Sequence, residues 1–127
     1  MTSARRPYQG AEIMKQLSDL QLPVPLCYAL QAARERITAE FRVDRLMLFG
    51  SLVRGESDAE SDVDLLIVLA EPPTYQWRDR ITSLILDTNL EYGTNLSELI
   101  VDRQTWDDGI PAALPIHKAI EEEGIPL

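Results

Sequence analysis

Cysteine and histidine are almost missing from this chain. Cys27 is the only cysteine and His117 the only histidine among 127 residues. A single cysteine excludes an internal disulfide and a cysteine-based zinc site, and it fits a reducing cytoplasm. It reads as a small buried apolar residue. A lone histidine on a predicted terminal helix suits a surface or helix-end place better than catalysis. Long apolar runs are missing too. None reaches the roughly 18 residues that a membrane span needs. The opening "MTSARRPYQG" has two arginines and no apolar stretch behind them, unlike a secretory signal. Positive charge is scarce, with 12 basic against 21 acidic residues and a net charge of −9. Such a field repels a phosphate backbone, so nucleic-acid binding is disfavoured unless a local patch overrides it. Arginines at positions 5, 6, 34, 36, 42, 45 and 54 crowd the first half. A solvated surface is the plainer reading of them.

Repeats, low-complexity tracts and long linkers are also lacking. Length and 45% apolar content suit one soluble domain over residues 1–127. Residues 10–20 place Ile13, Met14, Leu17 and Leu20 at helical spacing. A second helix is expected from about Leu26 to Phe41, so the segment from about 8 to 41 reads as helical. Val43–Phe49 reads as a strand ended by Gly50. Residues 51–61 read as a polar turn and loop, and Asp62–Leu69 as a second strand. Its "LLIVL" predicts burial on both faces. A helix over Thr74–Tyr92 would bury Trp77, Ile81, Leu84, Ile85, Thr88 and Tyr92, with Gly93 as its cap. Leu96–Val101 makes a third strand, "DRQTWDD" a turn into a short helix, and Pro115–Glu123 a last helix. Glu121–Glu123 reads as a solvated helix end. The pattern predicts an α/β (α+β) domain: a small mixed sheet flanked by helices, with its core at about 43–102.

One constellation carries chemistry. Gly50-Ser51 is followed, ten residues on, by Asp62-Val63-Asp64 at the head of the buried strand. Asp62 and Asp64 are two apart on a strand, so they share a face with Cα atoms about 6–7 Å apart. Two bare carboxylates that close repel each other, and a divalent cation removes the conflict. Few oxygen ligands suit Mg²⁺, which completes its shell with water and phosphate. Gly50 lets the backbone approach a ligand, and Ser51 opens a turn with N–H groups and a hydroxyl for phosphate. Arg54 adds a cation for the phosphates. Either half alone is an ordinary turn or an ordinary surface pair. The combination arises by chance in roughly one chain of this length in several hundred.

"GSLVRGESDAESDVDLLIV" resembles the signature of the DNA polymerase β-like nucleotidyltransferase superfamily, and the small size resembles its minimal nucleotidyltransferase (MNT) branch. The resemblance covers about Val43 to Val101. It implies binding of an NTP such as ATP, two Mg²⁺ ions when active, and transfer of a nucleoside monophosphate. By position, Gly50, Ser51 and Arg54 would bind the nucleotide, and Asp62 and Asp64 would be catalytic metal ligands. The family implies a third acidic residue on a later strand. Glu98 is the nearest acid there and is expected to converge with the aspartates as the third catalytic metal ligand. If it faces away, nucleotide binding survives while transfer weakens. The resemblance also implies a helical HEPN-type partner, with which family members of this size are frequently paired, some as antitoxins that attach AMP to it.

Two functions follow. The first is an Mg²⁺-dependent nucleotidyltransferase acting on a protein hydroxyl, in a toxin-antitoxin pair. The second is an MNT-like subunit that neutralises or scaffolds a HEPN-type partner by contact. A small-molecule acceptor such as an aminoglycoside would need more chain for its pocket. Oligomerisation stays open.

Overall fold

The structure, a computed structural model, describes residues 20, 22–55 and 62–127. The helix expected over residues 10–20 and the end of the loop at 56–61 lie outside the described residues, Leu20 apart. Helix α1 spans Val24–Glu40. It starts two residues before the expected Leu26, because proline is tolerated in a first turn where the N–H has no helical partner. Leu26, Ala29, Leu30, Ala33 and Ile37 recur at helical spacing and form its buried stripe. Strands β1 (Val43–Phe49) and β2 (Val63–Leu69) pair antiparallel, with Phe49 opposite Asp64. Helix α2 spans Tyr75–Tyr92. Thr74 caps it by accepting from the Trp77 N–H at 3.1 Å, and Gly93 ends it in the left-handed conformation. Strand β3 (Leu96–Asp102) then returns parallel to β2. Asp102 caps the short helix α3 (Arg103–Asp108), accepting from the Thr105 N–H.

A 3₁₀ turn at Ile110–Ala113, helix α4 (Pro115–Glu123) and strand β4 (Ile125–Pro126) complete the described fold. The strand order is β3-β2-β1-β4, with β4 antiparallel to β1. The result is a mixed sheet with helices on both faces, as the pattern predicts. The Leu65, Leu66, Ile67 and Val68 side chains are all fully buried because β2 is central and covered twice. Each such burial is favourable by about 1.5–3 kcal/mol. One face packs Leu46, Leu48, Val63, Leu65, Ile67, Leu96 and Ile100 against α1 and α2. The other packs Met47, Leu66 and Val68 against Trp106 of α3 and Ile120 of α4.

Two small expectations are corrected. Cys27 is exposed, because it falls on the outer side of α1 between the stripe residues Leu26 and Leu30. Glu121 is not a freely solvated helix end. It accepts from Trp106 Nε1 and from Arg45 Nη1, both at 2.7 Å, and so ties α4 to α3 and β1. His117 stacks on Trp106 with ring centroids 4.4 Å apart. Trp77 meets the Phe41 ring at 5.8 Å on the margin of the main core. No described helix is long and apolar enough to cross a membrane.

Candidate active site

The antiparallel register of β1 and β2 sets Asp64 opposite Phe49, one residue before Gly50. Gly50 has φ +90°, a conformation that L side chains rarely adopt. A Cβ on Gly50 would lie 2.3 Å from Asp64 Oδ2. The carboxylate therefore rests on the bare Cα of the glycine. From there the chain makes one helical turn, with the Gly50 carbonyl accepting from the N–H groups of Val53 at 3.2 Å and Arg54 at 3.3 Å. Ser51 opens that turn, where N–H groups have no partner inside the turn itself.

The sequence thus puts the turn and Asp64 ten residues and more apart, and the hairpin brings them into contact. Asp62 is exposed just before β2, and its Oδ1 accepts from Asn95 Nδ2 at 2.7 Å. The Asn95 carbonyl also accepts from the Val63 N–H at 3.0 Å. Asn95 therefore holds the Asp62 end of the pair from both backbone and side chain. Sequence reasoning missed it, since a single Asn before a strand reads as a turn residue. Burial raises the Asp64 carboxyl above its ordinary pKa, the Asp62 charge adds to the effect, and Arg54 opposes it. Arg54 Nη1 also lies 3.9 Å from Glu123 Oε2 on α4.

Glu98 does not join this group. In parallel register it lies beside Leu65, whereas Ser97 lies beside Asp64. Registered neighbours share a face, so Glu98 is on the α1/α2 side and Ser97 on the Asp64 side. Glu98 Oε2 accepts from Thr82 Oγ1 of α2 at 2.8 Å. The expected convergence of Glu98 with the aspartates is therefore corrected. Leu96 and Ile100 decide it: both are buried in the main core, and period 2 carries Glu98 to the same side. On the aspartate face, β3 offers the Ser97 hydroxyl, which is exposed. Among the described residues there is no cluster of three Asp, Glu, His or Cys residues suited to a metal ion.

Among the described residues, three arginines of the first half are taken up by acidic partners. Arg36 pairs with Glu91, Arg42 with Glu71, and Arg45 with Asp107 and Glu121. The acidic partners leave no concentrated positive surface at these positions to grip a nucleic-acid backbone.

Known proteins agree with this architecture. Residues 30–111 match the family described as "Nucleotidyltransferase domain". A Methanocaldococcus jannaschii protein named "putative protein adenylyltransferase" is 41% identical over 59 residues, which is 46% of this chain. The matched region spans 60% of that relative's length. A solved "putative minimal nucleotidyltransferase" superimposes with a TM-score of 0.51 at 27% identity, covering 77% of this chain and 92% of the other. A "putative nucleotidyltransferase" from Sulfolobus solfataricus shares the fold at 15% identity, with a TM-score of 0.50 over 94% of this chain and 87% of the other. Family match, fold and the meeting of Gly50 with Asp64 point one way: this chain belongs to the nucleotidyltransferase-domain family.

Proposed function

We propose that the chain transfers AMP from ATP to a hydroxyl of a partner protein, using Mg²⁺ held by Asp62 and Asp64. The contact of the Asp64 carboxylate with Gly50 carries this reading, because it makes the phosphate-type turn and the carboxylate pair one site. The donor set fits a hard divalent cation. Both donors are oxygen, and burial together with the neighbouring Asp62 charge disfavours a bare Asp64 carboxylate, a cost that a bound cation would relieve. Two carboxylates suit one such ion, which keeps water and phosphate oxygens as its other ligands. A second ion would need donors from outside the described residues or from the substrates. When bound, the ion supplies Lewis-acid polarisation of the α-phosphoryl group.

The chain's own residues do the rest. Ser51 and its turn hold the β- and γ-phosphates that leave as pyrophosphate, and Arg54 offsets their charge. Gly50 lets the chain pass under Asp64. Asn95 fixes Asp62, so the pair is oriented before substrate arrives. Ser97 faces the same space from β3 and is placed to donate to a phosphate or acceptor oxygen. A protein acceptor is favoured by the net charge of −9, by the paired arginines, and by the name of the archaeal relative. A HEPN-type helical partner is the acceptor to try first.

The position of Glu98 favours a second reading, a subunit that binds nucleotide and a partner with little transfer. The test is label transfer from α-labelled ATP to candidate proteins with Mg²⁺, using wild type, Asp62→Asn and Asp64→Asn. Transfer in wild type, lost in both folded variants, supports the enzyme. Nucleotide binding without transfer to any acceptor supports the second reading, and full turnover in either variant refutes the site.

A further inference from the structure

An apolar pocket opens beside the phosphate-type turn. It lies between the end of β1 and α4, with a volume of about 210 Å³. Phe49, Ile116, Ala119 and Ile120 form its walls, while Gly50, Arg54 and Glu123 form the side towards the turn. We infer that this pocket is the nucleobase subsite, seating the base ring of the bound nucleoside triphosphate between β1 and α4. The inference rests on the proposed NTP site and says where the base goes.

Three observations support it. First, the pocket shares Gly50 and Arg54 with the turn that would hold the phosphates, so one ligand reaches both. Phe49 also pairs in register with Asp64, so the pocket adjoins the carboxylates on the side away from β3. That leaves the Ser97 side for the acceptor. Second, the volume is below the roughly 300–1,000 Å³ of whole-ligand pockets, which suits one ring system rather than an entire nucleotide. Third, the lining is mainly apolar, and Ile116 stays 44% exposed although its neighbour Ile120 is buried. A base stacked there would cover Ile116, and every base has an apolar face to offer.

The experiment is calorimetry with Mg²⁺ and two ligands, α,β-methylene-ATP and inorganic tripolyphosphate, on the whole chain. Wild type should bind the nucleotide at least about tenfold more tightly, about 1.4 kcal/mol. Ala119→Trp fills the pocket and should bring nucleotide affinity down to the tripolyphosphate level while tripolyphosphate affinity stays the same. Ile116→Asp, at the exposed rim, should act in the same direction and guards against misfolding of the tryptophan variant. Equal affinity for the two ligands in wild type overturns the base subsite, as does unchanged nucleotide affinity in a folded variant. An apolar side chain of a partner protein would then be the occupant to test. If neither ligand binds wild type, the NTP site itself fails, and that result is distinct from the others.

Discussion

Replacing Gly50 with alanine tests the central contact. Two costs add. An L residue at φ +90° carries left-handed strain of about 1–2 kcal/mol. The new Cβ would also stand 2.3 Å from Asp64 Oδ2, so the carboxylate must leave its rotamer, at about 0.5–1.5 kcal/mol. Gly50→Ala should therefore destabilise by about 1.5–3.5 kcal/mol. The second cost disappears in an Asp64→Ala background, where only the Asp64 Cβ remains near the new atom, at 3.5 Å and in ordinary contact. Alanine at position 50 should then cost only about 1–2 kcal/mol. Urea denaturation of the four proteins in EDTA gives the coupling directly, expected at about 0.5–1.5 kcal/mol. Strictly additive costs would show that the carboxylate does not rest on the glycine, and the united site would lose its main support. With Mg²⁺ and nucleotide present, Gly50→Ala should also weaken binding. The cause is a displaced Asp64, rather than the intrusion on the phosphates that the sequence suggests.

Three further outcomes follow from the register and the charges. Glu98→Gln should leave transfer within about twofold of wild type and stability within about 0.5 kcal/mol, and a tenfold loss of rate would return Glu98 to the metal site. Ser97→Asp should lower stability in EDTA by adding a third carboxylate to the Asp64 face, and should tighten Mn²⁺ binding read by electron paramagnetic resonance; unchanged Mn²⁺ affinity would take Ser97 off that face. Burial pushes the Glu121 carboxyl up, but the bonds from Trp106 and Arg45 outweigh it and hold its pKa below the ordinary 4.5. A lowered folded pKa gives stability that is present above 4.5 and lost as pH falls through the folded value. Wild type should thus exceed Glu121→Gln in stability at neutral pH, with a gap that closes in acid. A gap that widens on acidification would contradict the assignment.

Much of the fold was legible because local signals and burial agree. The apolar run after Asp64 marks a strand covered on both faces, and its centre is fully buried. Thr74 and Gly93 bound α2 as capping chemistry predicts. Strand β4 was not legible, since two residues carry no period and form a strand only because Met47 and Leu48 present an edge. The Glu121 bonds were equally hidden, as their partners Arg45 and Trp106 are distant in the chain.

The sequence by itself determined the chemistry on offer: a glycine-serine turn, two carboxylates at the head of a buried strand, and no cysteine or histidine cluster to compete. Those properties depend on residue type and local spacing, which need no tertiary contact. Which way Glu98 points was beyond it. Both faces of β3 carry apolar residues, so alternation alone is symmetric between them. Tertiary packing broke the symmetry by burying Leu96 and Ile100 under the helices, and that turned Ser97 towards Asp64 and Glu98 towards Thr82.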